Sequence, residues 1–178
     1  MMDQGGAGKF RGGSTVCQGY VFHNSLGGAK LIFNTSTSRI PHTPGLMGGY
    51  AGGLNPLLEI RNTDWQPIFQ KAGEDVPTSY TELATSKQIT FKATQFVPQD
   101  FFMNGDGIAC GSGSSGGYGD VLERDLGLVI ADLRKKIVSP WAARNVYRVA
   151  FDEETLEVDY AGTKKLHEQE RERRKREG

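Results

Sequence analysis

The sequence predicts an α+β fold, with a glycine-rich β domain over residues 1–119 followed by a helical section over residues 120–178. Three observations carry this expectation. As far as Cys110, short runs of branched and aromatic residues alternate with proline and glycine, the pattern of short strands joined by turns. From Asp120 the apolar residues switch to helical spacing. Residues 164–178 then hold seven Lys or Arg against four Glu, a solvated composition.

Taken in order, residues 15–22 place Val16, Tyr20 and Phe22 at even spacing, and residues 29–34, 57–61 and 89–96 are further strand candidates. Pro41, Pro44, Pro56, Pro67, Pro77 and Pro98 fall between these runs, where a missing backbone donor does least harm. Residues 64–83 read as loop, with a short helical turn around residues 65–71. Leu122, Leu126, Val129, Ile130, Leu133 and Ile137 then lie on one helical face. Asp120 with Glu123 fits a capping box, and Asp125 equally fits the N-cap of a helix that begins later. Ser139-Pro140 reads as an N-cap followed by proline at the first helical position, opening a short helix through residues 141–144. Residues 146–159 suggest a small hairpin, and beyond Asp159 the chain reads as one exposed helix. Leu166 is the one large apolar residue in the 164–178 segment, so the end of that helix is expected to fray.

Lys plus Arg and Asp plus Glu both number 21, so no net field steers the molecule towards nucleic acid or an anionic membrane. The interspersed glutamates of the tail, without aromatics, further disfavour nucleic acid. No apolar run approaches membrane-spanning length and the N-terminus lacks a signal-peptide core, which makes a cytoplasmic protein the expectation. Cys17 and Cys110 are expected to be free thiols in such a compartment.

Glycine is the strongest compositional signal. Three clusters, residues 5–19, 45–53 and 105–119, hold 18 of the 24 glycines, so the chemistry is sought there. Gly8-Lys9 lacks the earlier glycine and the following Ser or Thr of a Walker P-loop, where the chain has Asp3 and Phe10. Lys9, Arg11, Gly12 and Gly13 still suit a backbone cradle for phosphate or carboxylate, and equally suit a surface turn with solvated charges. Residues 111–116 formally match a dinucleotide fingerprint, but the helix starts after Gly119 with Asp120 and Glu123, which repel an anion. A nucleophile elbow centred on Ser115 fails because the only downstream histidine is His167, in the charged tail. His23, His42 and His167 match no metal spacing. Gly116, Gly117 and Tyr118 are the candidates for a loop wall beside the cradle.

The order of these pieces resembles the C-terminal part of the hydantoinase B/oxoprolinase family. The residues that carry the resemblance are Gly5-Gly-Ala-Gly-Lys-Phe-Arg-Gly-Gly13, Leu46-Met-Gly-Gly-Tyr-Ala-Gly-Gly53, Gly116-Gly-Tyr-Gly-Asp-Val-Leu-Glu-Arg-Asp125, Val138-Ser-Pro-Trp-Ala-Ala-Arg144 and Thr155-Leu-Glu-Val-Asp159. Residues 61–83 and 119–124 look closest to the acetophenone carboxylase type. The resemblance implies a subunit of an ATP-dependent cyclic-amide hydrolase or ketone carboxylase, paired with a hydantoinase A-like ATP-binding partner in a hetero-oligomer. It implies ATP and a divalent metal in the full complex, with none held by this chain alone. The metal-binding segment of the family would precede Met1, so the chain is expected to be inactive by itself, as a fragment, a separately encoded piece or a degenerate relative. Where the family often has Pro-Glu, this chain has Leu126-Gly127, a weaker helix start. The alternative from a different class is a non-catalytic assembly module that docks a larger subunit.

Overall fold

The computed structural model describes residues 2–32, 40–54, 57–70, 77, 80–94 and 100–177. Its contacts divide the chain into two interleaved compact units. The first takes residues 15–42 and 54–113, and the second takes residues 2–14, 43–53 and 114–178. Composition draws a boundary at Asp120, whereas contacts group the glycine segments 2–14, 43–53 and 114–119 with the C-terminal helices.

The first unit holds the strands. An antiparallel sheet runs in the order β1 (Cys17–Val21), β6 (Gly107–Gly111), β3 (Leu57–Ile60), β4 (Phe91–Thr94), and β2 (Ala29–Leu31) pairs with β5 (Asp100–Phe102) in a separate ribbon. The register Leu57↔Cys110, Leu58↔Ala109 sorts the side chains, because successive residues of a strand point to opposite faces. One face carries Leu58, Ile60 and Ala109, which cluster with Ile68 of α1 (Trp65–Gln70), Ile89, and Leu83 of α2 (Tyr80–Thr85). The other carries Leu57 and Ile108, packed with Phe102, Phe22 and Leu31. Cys17 pairs with Gly111 and Cys110 with Gln18, which sets the two cysteines on opposite faces, and both are free thiols. Of the expected runs, residues 33–34 and 95–96 lie outside the described residues, as does the 71–76 part of the expected loop.

The second unit is built on a single core of Val121, Leu122, Val129, Ile130, Leu133, Val138, Ala142, Ala143, Tyr147, Val149 and Phe151. The helical periodicity from Asp120 resolves into two pieces. Asp120 caps a 3-10 turn (Val121–Glu123) by accepting from Leu122 N, Arg124 is extended, and Asp125 then caps α3 (Leu126–Arg134) by accepting from Leu128 N. Ser139 caps α4 (Pro140–Asn145), with proline in its first turn. The expected hairpin reduces to one antiparallel bridge, Phe151↔Val158, around a turn in which Asp152 accepts from the amides of Glu154 and Thr155.

The terminal helix runs as far as Glu177 and is not wholly exposed. α5 (Tyr160–Glu177) buries Thr163 and Glu170. Thr163 Oγ1 accepts from Ala150 N at 3.0 Å, and Glu170 receives Arg148, Arg173 and Arg174 at 2.8–3.1 Å. Arg174 also reaches Asp120 at 2.8 Å, so polar contacts anchor a helix that has little apolar surface to bury. Among the described residues, no helix is long and apolar enough to cross a membrane.

Candidate functional site

All the residues nominated for a site lie in the second unit, where the three glycine segments meet as backbone packed on backbone. Phe10 and Tyr118 exchange both backbone hydrogen bonds at 2.9 Å, and Leu46 brackets Tyr118 by donating to Gly117 O and accepting from Gly119 N. Tyr118 is therefore the middle position of a three-segment ribbon. Residues paired across strands share a face. Accordingly Phe10, Tyr118 and Leu46 project together and are 61, 49 and 60% exposed.

The same alternation sends Lys9 and Arg11 the other way, towards the helices. Lys9 Nζ meets Glu123 at 3.1 Å in an exposed pair. Arg11 Nε meets Asp132 at 3.1 Å, and Arg124 Nη2 meets the same carboxylate oxygen at 2.7 Å. Arg11 also donates to Gly12 O at 2.6 Å, and Arg124 donates to Lys9 O at 3.2 Å. Arg124 lies 5.8 Å from the centre of the Tyr147 ring, and burial pushes that phenol above its usual pKa. The two arginines thus clamp one buried carboxylate and tie the first glycine segment to α3. Each of these charges has a carboxylate partner inside its own unit.

Gly12, Gly116 and Gly117 serve close approach. A Cβ on Gly12 would run into the Ser115 carbonyl, and one on Gly117 would run into the Ala7 carbonyl. Ser114 is buried and joins all three segments: its Oγ accepts from Gly53 N at 2.5 Å and donates to Gln4 O. Gly13, exposed, accepts from Ser115 N at 3.2 Å.

Sequence reasoning missed Asp132, Arg124 and Ser114. Asp132 carried a usable signal. It is buried at the edge of the apolar face of α3, one turn from Val129, where a carboxylate requires a cationic partner. His23 and His42 are exposed, and the ring of His167 faces Tyr147 O at 3.1 Å. No group of three His, Cys, Asp or Glu that could hold a metal occurs among the described residues.

The sequence profile of the Hydantoinase B/oxoprolinase family matches residues 1–121. The chain belongs to that family. It is 27% identical over 183 residues to the acetophenone carboxylase delta subunit of Aromatoleum aromaticum, a match covering 99% of this chain and 26% of the relative. Its fold resembles a nucleotide-free structure of acetone carboxylase, with a TM-score of 0.71 and 22% identity, over 99% of this chain and 24% of that one. It also resembles the ATP-dependent caprolactamase of Pseudomonas jessenii, with a TM-score of 0.57 and 23% identity, over 94% of this chain and 25% of that one. The chain spans about a quarter of the length of these relatives.

Proposed function

We propose that the chain is the architectural C-terminal portion of a hydantoinase B-type subunit in an ATP-dependent cyclic-amide hydrolase or ketone carboxylase. It acts with a hydantoinase A-like ATP-binding subunit in a cytoplasmic hetero-oligomer. The observation that carries the reading is the match of 99% of the chain to the acetophenone carboxylase delta subunit. In the full complex the ATP-binding partner phosphorylates an amide or enol oxygen, and the hydantoinase B side receives the activated molecule. ATP and the divalent metal belong to parts of the complex outside this chain.

Within that complex we assign Arg11 a positioning role. An arginine that already shares a buried carboxylate with Arg124 holds its segment in place, and drawing it to an anionic intermediate would leave Asp132 with one partner fewer. The exposed row of Phe10, Leu46 and Tyr118 favours a second reading, in which the chain is a purely structural docking module.

Co-purification with a hydantoinase A-like subunit, combined with an assay of substrate loss against ATP hydrolysis, tests the proposal. Stoichiometric assembly and ATP-coupled turnover of a cyclic amide, or of a ketone with bicarbonate, is the expected result. Assembly without any ATP-coupled turnover supports the docking module, and failure to assemble overturns both readings.

A further inference from the structure

The first unit carries an open cleft of about 730 Å³, whose described lining residues all belong to that unit. Segments that line it, around Phe22, Thr63 and Gly105, meet beside one buried carboxylate. Asp106 accepts from the amides of Asn62 at 3.0 Å and Met103 at 2.8 Å, and from Arg61 Nη1 at 3.0 Å. Burial opposes its charge, yet these donors hold its carboxyl below the usual pKa. Next to it Gly105 donates to Phe22 O at 3.0 Å, and its own carbonyl accepts from Thr63 N at 2.9 Å and Trp65 Nε1 at 3.0 Å. The position requires glycine, since φ is +90° and a Cβ would press on the Thr63 carbonyl. The Trp65 indole is therefore fixed in place by the backbone beneath it.

Phe69, one helical turn on, stacks on Trp65 with ring centres 5.8 Å apart and planes 18° apart, and it is 52% exposed. The other lining groups are mainly side-chain amides and an imidazole, from Asn24, Gln66, Asn104 and His23. Asn104 is oriented by accepting from Ser25 N at 2.8 Å. Asp64 also lines the cleft, and among its described lining residues there is no lysine or arginine. A volume of this size with an aromatic wall and a few fixed polar groups is what a small-molecule site needs.

We propose that this cleft binds an uncharged planar ring bearing an amide, such as an aromatic carboxamide. The ring suits the Trp65–Phe69 wall. A group that both donates and accepts suits the side-chain amides, which do the same. An anion would meet Asp64, and among the described lining residues no lysine or arginine offsets it. Binding is read on the chain alone, so its failure leaves the enzyme assignment untouched.

The test is a titration of the full ¹⁵N-labelled chain with benzamide, following the two indole N–H signals in ¹H–¹⁵N spectra. Trp141, exposed in the second unit, is the internal control and is identified by Trp141→Phe. The expected result is a saturable shift of the Trp65 signal with a Kd of about 1 mM or tighter, the range open to so small a ligand. Benzoate should bind at least about tenfold more weakly, since among the described lining residues its charge meets Asp64 and no lysine or arginine. Gln66→Ala, at an exposed position, and Phe69→Ala should each weaken benzamide about threefold or more. A non-saturating drift, equal binding of benzoate, parallel movement of the Trp141 signal, or full affinity in both variants overturns the proposal.

Discussion

Two residue types set the stability of the second unit, glycines that admit a neighbouring backbone and buried charges that must be paired. Gly12 lies against the Ser115 carbonyl, so Gly12→Ala should destabilise the chain by about 1–3 kcal/mol, the usual cost of overpacking a rigid contact. Gly19, in β1, has nothing within 4 Å of where its Cβ would stand. Gly19→Ala should therefore change stability by less than about 0.5 kcal/mol. Chemical denaturation of the two variants side by side checks the contrast, and equal losses would remove the Ser115 contact as the reason for glycine at position 12. Asp132→Ala leaves Arg11 and Arg124 without their shared carboxylate and should cost about 3–5 kcal/mol in the same measurement.

At the scale of elements, α3 is anchored by apolar burial and α5 by charge. Leu133→Ala should cost about 2–5 kcal/mol, as buried leucine truncations do. Deleting residues 164–178 removes Glu170 and Arg174 and should lower the melting temperature clearly, in contrast to the small effect that a frayed tail would give. Hydrogen bonding by Arg173, opposed by burial and reinforced by Arg174 and Arg148, holds the Glu170 carboxyl at about 2 instead of the usual 4.5. Because the folded value is depressed, this contribution is complete above pH 4.5 and is lost as pH falls towards 2. Melting temperature followed over that window should fall less steeply for Glu170→Gln than for the native chain, and identical slopes would remove Glu170 from the acid response. α3 and α4 were legible in the sequence because their signals are local: the caps Asp125 and Ser139 and the apolar period of α3 lie within a few residues of the bonds they make, whereas α2 falls in a stretch that reads as loop. β6 was not, since Gly107, Ala109 and Gly111 have low strand propensity and become the second strand of the sheet only by pairing with β1 on one side and β3 on the other. The anchoring of α5 was hidden for a related reason, because Thr163 and Glu170 find their partners at Ala150 and Arg148, outside the helix.

For the whole molecule, the glycine clusters were readable as places of close approach, but glycine does not encode what approaches. The structure shows them approaching one another, with Lys9 and Arg11 turned by strand alternation onto Glu123 and Asp132. The central claim is that this portion of a hydantoinase B-type subunit supplies architecture, with Arg11 bracing the second unit. The decisive measurement is turnover per assembled complex for Arg11→Ala, beside its melting temperature and its co-purification with the proposed ATP-binding subunit. Arg11→Ala should give a lower melting temperature and a smaller assembled fraction, with turnover per assembled complex within about twofold of the native value. Full assembly and an unchanged melting temperature with a loss of about a hundredfold or more in turnover, the signature of a missing charge-stabilising donor at a reacting centre, would contradict it.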